Sequence, residues 1–174
     1  MKLLSTSVLA AIAAFWTIAL SASSQAQQMM TADKLVGAWQ LISFTATTGD
    51  QVTYPLGEHP GGYIGFSSSR FLIMLIDSTR KAPAAAALTD AEAVSLMKSH
   101  VAYTAKYAVD PAQTPDGIKI TISVEAASNQ ALTGANRVIY TRVDGNKLTV
   151  KSPALVVPTS GLTSNTQAEY VKAD

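Results

Sequence analysis

Two tyrosines in the middle of the chain, Tyr103 and Tyr107, are spaced so that both side chains fall on one face of a predicted strand. Side chains alternate between the two faces of a strand, so Thr104 and Lys106 point the other way. Phenol hydroxyls that project into an apolar cavity can orient a ligand carbonyl or hydroxyl, and Tyr63 is a third candidate. The alternative is that these rings are core aromatics with their hydroxyls at the rim.

Arg137 is the charged residue with the clearest claim to a site. It alternates with Ile139, Thr141 and Val143 along a predicted strand, and a guanidinium on an inward face needs a partner. Glu125, one strand earlier, is the natural partner, although it lies opposite the apolar face of its own strand. The alternative is an exposed ion pair, which would contribute little to stability.

Met74 belongs to a predicted strand, residues 70–77, that is apolar on both faces. Such a strand is expected to be covered on two sides, and we predict that the helix at residues 90–100 covers it from outside the barrel. A methionine in a cavity wall suits adaptable hydrophobic binding. The predicted ligand-binding residues are therefore Tyr63, Met74, Tyr103, Tyr107 and Arg137.

The sequence offers no recognisable catalytic or metal motif. Its two histidines, His59 and His100, are far apart, and there is no cysteine, Gly-x-Ser-x-Gly elbow or phosphate-binding loop. Acid–base partners need not be close in sequence, so a histidine-dependent enzyme stays an alternative. We predict no metal, no cofactor and no catalytic residue.

The elements that must position these residues are short β-strands separated by turn signals. A capping box, Thr89 to Glu92, opens a predicted helix at residues 90–100. About eight strands without parallel βα alternation predict an all-β fold, a single antiparallel barrel with one short helix. The predicted strands are residues 35–46, 62–66, 70–77, 101–109, 118–125, 136–143, 147–152 and 167–172, with a turn at residues 110–117.

Residues 1–26 predict a cleaved secretory signal. Lys2 supplies the positive start, residues 3–20 are apolar or small and uncharged, and Ser24 and Ala26 suit a cleavage site before Gln27. A retained membrane anchor is the alternative, but hydroxyl residues interrupt the run and no basic stop-transfer cluster follows. We expect export to the periplasm or the exterior, with no membrane anchor after cleavage.

The remaining residues, 27–174, predict one domain of ordinary size. The formal net charge is +1, and losing Lys2 makes it zero. A neutral, sparsely charged chain has no electrostatic footprint for nucleic acid or anionic membranes. Without cysteine it has no disulfide and no lipidation site after the signal.

The order of several short motifs resembles the bacterial and fungal lipocalin-like domain family. Residues 35–41 (LVGAWQL) resemble its Gly-x-Trp opening strand, and residues 55–64 (PLGEHPGGYI) resemble its "PxG…P.GYL" segment. Residues 103–109 (YTAKYAV) resemble a later strand, although Ser67 to Ser69 replace a frequent Asp-Gly turn. A final hairpin is matched by Arg137, Asp144, Gly145, Leu148, Val150 and Pro153.

The resemblance implies a lipocalin-like barrel in which Trp39 plugs the closed end; the alternative is an indole that stacks on a ligand. We expect the protein to bind a small hydrophobic molecule in the barrel. The alternatives are a cyclase or isomerase that uses the same cavity, and a structural barrel filled by side chains. An interior void large enough for a ligand would exclude the filled barrel.

Overall fold

The computed structural model describes residues 32–156 and 163–173; the predicted signal at residues 1–26 lies outside them. One antiparallel sheet contains ten strands in the described part of the chain. The strands are β1 (Gly37–Thr48), β2 (Gln51–Thr53), β3 (Gly61–Phe66), β4 (Arg70–Ile76), β5 (His100–Thr114), β6 (Gly117–Ala127), β7 (Asn136–Asp144), β8 (Lys147–Lys151), β9 (Leu155–Val156) and β10 (Thr163–Ala173).

The sheet closes because its first long strand pairs with its last. The register of β1 with β10 runs from Ala38 opposite Ala173 to Thr48 opposite Ser164. The closed ring contains β1, β3, β4, β5, β6, β7, β8 and β10. The short strands β2 and β9 pair with the end of β1 and the start of β10. The predicted single antiparallel barrel of about eight strands is therefore confirmed.

The two ends of the barrel differ in the length of their connections. Short turns join β3 to β4, β5 to β6 and β7 to β8 at one end, where the helical turn at residues 32–35 also lies. Long connections at the other end contain β2, the helix Asp90–Lys98 and β9. Long loops over one end leave room for an entrance, whereas tight turns draw the strands together at the other.

A β-bulge at Ile42 sets which residues of β1 face inward. Leu41 lies opposite Tyr170 and Ser43 opposite Glu169, so Ile42 is an extra residue in the ladder. Two consecutive residues of the bulge then oppose one on β10, and the alternation resumes one position later. This shift turns Phe44 to the inside, although simple alternation from Trp39 would place it outside.

The end of β5 differs from the sequence prediction. Residues 110–117 were predicted as a turn because they contain two prolines, but β5 continues to Thr114. The ladder with β6 passes from Val109 directly to Gln113, so Pro111 falls within an irregularity. A proline has no N–H to donate and is tolerated where the ladder is interrupted.

The helix begins at the residue that its capping box predicted, but it does not cover the outer face of β4. The Thr89 hydroxyl accepts from the Glu92 N–H, and the Glu92 carboxylate accepts from the Thr89 N–H. The helix Asp90–Lys98 contains no buried residue, and Leu72 and Met74 are about half exposed. The prediction that the helix covers the outer face of β4 is wrong, because the helix lies in the loop beyond the end of that strand.

Candidate functional site

The barrel contains an open cavity of about 670 Å³ at the end that carries the long connections. Its wall is mostly aliphatic and aromatic, with residues from both halves of the chain. The principal apolar lining residues are Phe44, Ile64, Phe71, Ile73, Leu75, Val101, Leu132, Val138, Ile139, Val150 and Ala168. Concave apolar spaces of this size are the usual form of a small-molecule site.

Trp39 lies at the opposite end, below the lining of this cavity. Its side chain is fully buried, and its indole Nε1 donates a 2.8 Å hydrogen bond to the carbonyl of Leu35. The hydrogen bond fixes the helical turn at residues 32–35 against the start of β1. Trp39 is therefore not among the described residues that line the cavity.

Two buried tyrosines, Tyr103 and Tyr170, supply phenol groups to the cavity wall. Burial raises the pKa of both phenols above their ordinary value, because the charged phenolate would lose its hydration. The proximity of Tyr103 raises the pKa of Tyr170 further, whereas Arg137 opposes the increase in the pKa of Tyr103. Both hydroxyls are therefore neutral at physiological pH and able to donate or accept.

Neither phenol hydroxyl makes a hydrogen bond to another group in the described ranges, 32–156 and 163–173. Every fully buried side-chain nitrogen or oxygen there does have a partner, so these two oxygens retain accessible surface. Tyr103 and Tyr170 are only 8 % and 2 % exposed, and both line the cavity. Their remaining accessible surface therefore faces the cavity.

Arg137 is the one charged side chain among the described residues that line the cavity. Its Cζ atom lies 6.0 Å from the centroid of the Tyr103 ring, and it forms no ion pair with a described carboxylate. Opposite Ile122 on β6, it begins the inward row that continues with Ile139 and Thr141. The face of β7 that contains Ile139 and Thr141 therefore points into the barrel.

Glu125 does not pair with Arg137, contrary to one of the two interpretations of the sequence. Val124 and Ala126 of β6 lie opposite consecutive residues of β5, which makes Glu125 the extra residue of a bulge. Its carboxylate instead contacts Arg70 and Lys106, two outward residues on neighbouring strands. The physical reason is strand alternation: Ile120, Ile122 and Val124 face the core, which leaves Glu125 on the outer surface.

Three predicted ligand-binding residues do not line the cavity. Tyr63 and Met74 are cross-strand neighbours on the outer surface, with 47 % and 49 % exposure. Tyr107 shares the inward face of Tyr103, but it lies towards the short turns, where its hydroxyl donates a 2.6 Å hydrogen bond to the Ser67 carbonyl. Of the five predicted residues, the cavity therefore unites Tyr103 and Arg137 alone.

Sequence reasoning missed Tyr170 and Phe44. Tyr170 lies on β10 with Thr166 and Ala168, and this alternation would have placed all three on one face. Phe44 had no such signal, because simple alternation along β1 gives it the wrong face. Only the pairing of β1 with β10 reveals the bulge that turns it inward.

The described residues contain no group of three or more histidine, cysteine, aspartate or glutamate side chains that could hold a metal ion. No helix within them has the length and apolar character needed to cross a membrane.

Residues 36–171 match the model of the lipocalin-like domain, which covers more than half of the chain. Together with the closed barrel and its internal cavity, this match places the chain in the lipocalin-like domain family. The family resemblance predicted from the ordered motifs is thereby confirmed. Searches of curated proteins and of solved structures each return no match.

Proposed function

We propose that this protein is an exported binding protein that takes up a small hydrophobic molecule in the barrel cavity. The observation that carries the proposal is the cavity itself, about 670 Å³ with a predominantly apolar wall. A side-chain-filled barrel would leave no such space, so the structural alternative is disfavoured. Among the described positions, the lining also contains one charged residue and no carboxylate. This disfavours an acid–base enzyme, which needs a side chain that can accept or donate a proton near neutral pH.

The size of the cavity limits the guest and its affinity. At about 30 Å³ per water-sized atom, there is room for roughly 20 non-hydrogen atoms. At about 0.3 kcal/mol per atom, typical of drug-sized ligands, such a guest would gain about 6 kcal/mol on binding. The corresponding Kd is on the order of tens of micromolar. Burial of apolar surface, at about 25 cal/mol per Å², would supply most of this gain.

The test uses N-phenyl-1-naphthylamine, a neutral fluorophore whose emission increases in apolar surroundings. We expect saturable binding to the protein without residues 1–26. Ala168→Trp fills the cavity from its wall and should abolish binding, since Ala168 is buried and lines the cavity. Glu169→Trp introduces the same side chain on the outer face of the same strand and should bind like the parent protein.

Loss of binding must be distinguished from loss of folding in each variant. Thermal unfolding followed by circular dichroism identifies a variant that fails to fold, and Val150→Phe offers a smaller intrusion from a second wall position. Binding that persists in a folded Ala168→Trp or Val150→Phe protein would contradict a site inside the barrel. Native mass spectrometry of protein purified from its host would then identify the class of any retained guest.

Export is tested separately from binding. Expression of the full chain in its host, followed by fractionation and sequencing of the mature N-terminus, should recover protein that begins at Gln27 outside the cytoplasm. An intact N-terminus in the cytoplasm would contradict export and leave the binding proposal unaffected.

A further inference from the structure

We propose that the guest is a monoanionic amphiphile, such as a carboxylate with an apolar body, whose charged end is bound by Arg137. This inference rests on the proposed binding function and specifies the chemical class of its ligand. It starts from the polar groups in the cavity wall: one guanidinium and two phenols, together with Asn136, Ser152 and Thr166, lie among apolar side chains.

The guanidinium has no anionic partner in the described residues, 32–156 and 163–173. The nearby candidate carboxylate, Glu125, contacts Arg70 and Lys106 on the outer surface. Arg137 is exposed and begins the inward row of β7 at the end with the long connections. It is therefore hydrated when the cavity is empty, and a guest that enters beside it displaces that water.

The donors and acceptors of Arg137 determine which guest can replace the water. A guanidinium has five N–H donors and no acceptor, so it can bind only an acceptor. A carboxylate accepts two parallel hydrogen bonds from it and neutralises its charge. A cationic guest would be repelled, since no carboxylate lines the described part of the cavity. One cation matches one negative charge, which favours a monoanion.

The two tyrosines extend this polar region into the cavity. The Cζ atom of Arg137 lies 6.0 Å from the centroid of the Tyr103 ring. Tyr103 is in turn close enough to Tyr170 to raise the pKa of the Tyr170 phenol. Each hydroxyl lacks a hydrogen-bond partner among the described groups and retains accessible surface. A carboxylate held by Arg137 therefore has neutral O–H donors nearby for its remaining lone pairs.

The test compares two guests that differ only in the head group, decanoate and decan-1-ol. Each guest is titrated into the protein with N-phenyl-1-naphthylamine already bound. The loss of fluorescence as the fluorophore is displaced gives the affinity of that guest. Arg137→Met should weaken decanoate about tenfold, as expected for the loss of hydrogen bonds to a charged group, and change decanol less than twofold. Tyr103→Phe and Tyr170→Phe should each weaken decanoate several-fold without changing the affinity for the neutral fluorophore.

Arg142→Met is the matched control, because Arg142 lies on the same strand but faces outward and donates to the carbonyl of Pro115. It should leave both decanoate and decanol unchanged. Thermal unfolding of every variant confirms that the barrel is intact.

Three results would overturn the anionic ligand while the fluorophore still binds. Arg137→Met could leave decanoate unchanged, it could weaken decanoate and decanol equally, or Arg142→Met could weaken decanoate as much as Arg137→Met does. Each of these leaves the proposed hydrophobic binding intact. Failure of the fluorophore, decanoate and decanol to bind the parent protein would instead reject the proposed function itself.

Discussion

The Nζ atom of Lys172 lies 4.3 Å from the centroid of the Trp39 ring and donates a 2.5 Å hydrogen bond to the carbonyl of Val36. One side chain of β10 thus joins the entry to β1 and its buried indole across the closure of the barrel. Gly37 permits this approach, since its φ is +123° and an added Cβ would lie 2.8 Å from Nζ. A side chain at position 37 would be strained and would displace the ammonium group.

Replacing Lys172 tests this connection between the first and last strands. Lys172→Met keeps much of the aliphatic stem but removes the cation–π contact and the hydrogen bond to Val36. We expect the free energy of unfolding to fall by about 1–2 kcal/mol, because the variant loses both interactions. The loss is modest because the ammonium group is exposed and water weakens each interaction. Urea unfolding followed by Trp39 fluorescence measures the change, since Trp39 is the only tryptophan after residue 26.

Lys147→Met is the control for Lys172→Met. Lys147 is exposed on the neighbouring strand β8 and lies opposite Val171, next to Lys172. It should change the free energy of unfolding by less than about 0.5 kcal/mol, as is usual for surface substitutions. Equal losses in the two variants would mean that general surface charge, rather than the contact with Trp39, determines the effect.

The bulge in β1 predicts an unusual tolerance to a deletion. Removing Ile42 eliminates the extra residue but leaves Leu41 and Phe44 facing inward, so the barrel should still fold. Removing Gln40 from the regular part of the ladder forces either Trp39 or Leu41 to the wrong face, as any one-residue slip in a strand does. Soluble yield and thermal unfolding by circular dichroism should therefore rank the Ile42 deletion well above the Gln40 deletion. The reverse order would contradict the assigned bulge.

The capping box predicts a local transition in acid. Hydrogen bonds from the Ala84 N–H, the Thr89 N–H and the Thr89 hydroxyl lower the pKa of Glu92 from 4.5 to about 2. A lowered pKa in the folded state means that the carboxylate stabilises the helix start fully above pH 4.5, and this contribution disappears as the pH falls towards 2. Amide hydrogen exchange at Ala84 should accelerate across that range while the barrel amides stay protected.

Glu92→Gln provides the comparison for the acid transition. The amide keeps one acceptor but cannot be protonated in this range, so exchange at Ala84 should be faster at neutral pH and independent of pH between 4.5 and 2 after correction for the intrinsic rate. The same pH dependence in the parent and in this variant would show that another group controls the helix start.

The buried phenols predict the opposite dependence, in alkali. Burial raises the pKa of Tyr170 well above its ordinary value near 10, so the neutral phenol stabilises the fold below pH 10 and this contribution disappears as the pH rises. Tyr170→Phe should reduce the loss of stability above pH 10, measured by urea unfolding at several pH values. Tyr54→Phe is the control, since Tyr54 is 51 % exposed, and it should leave the alkaline loss unchanged.

The fold class and the helix start were determined locally, and this is why the sequence predicted them. Alternation in Ile118, Ile120, Ile122 and Val124 identifies a strand with one buried face, and Thr89 with Glu92 identifies a helix start. Each of these signals depends on residues a few positions apart. The ordered family motifs added the barrel type, and residues 36–171 match the family model.

The membership of the site was decided by contacts between distant parts of the chain. Tyr63 and Tyr103 are both tyrosines in apolar strands, yet Tyr63 lies outside and Tyr103 inside, because strand register sets the face of each. Glu125 contacts Arg70 rather than Arg137 because it lies on the outer face of β6, where Arg70 and Lys106 also lie.

Residues 167–172 gave only a short, polar strand from sequence, whereas β10 extends over Thr163–Ala173 and pairs with both β1 and β8. For most of the eight barrel strands the sequence by itself determined the limits closely, since propensity and alternation are local properties, but it ended β5 and began β10 at the wrong residues. Closure of the barrel, the inward position of Phe44 and the pairing of Lys172 with Trp39 were decided by tertiary structure. Each requires the register between residues more than a hundred positions apart, which no local pattern specifies.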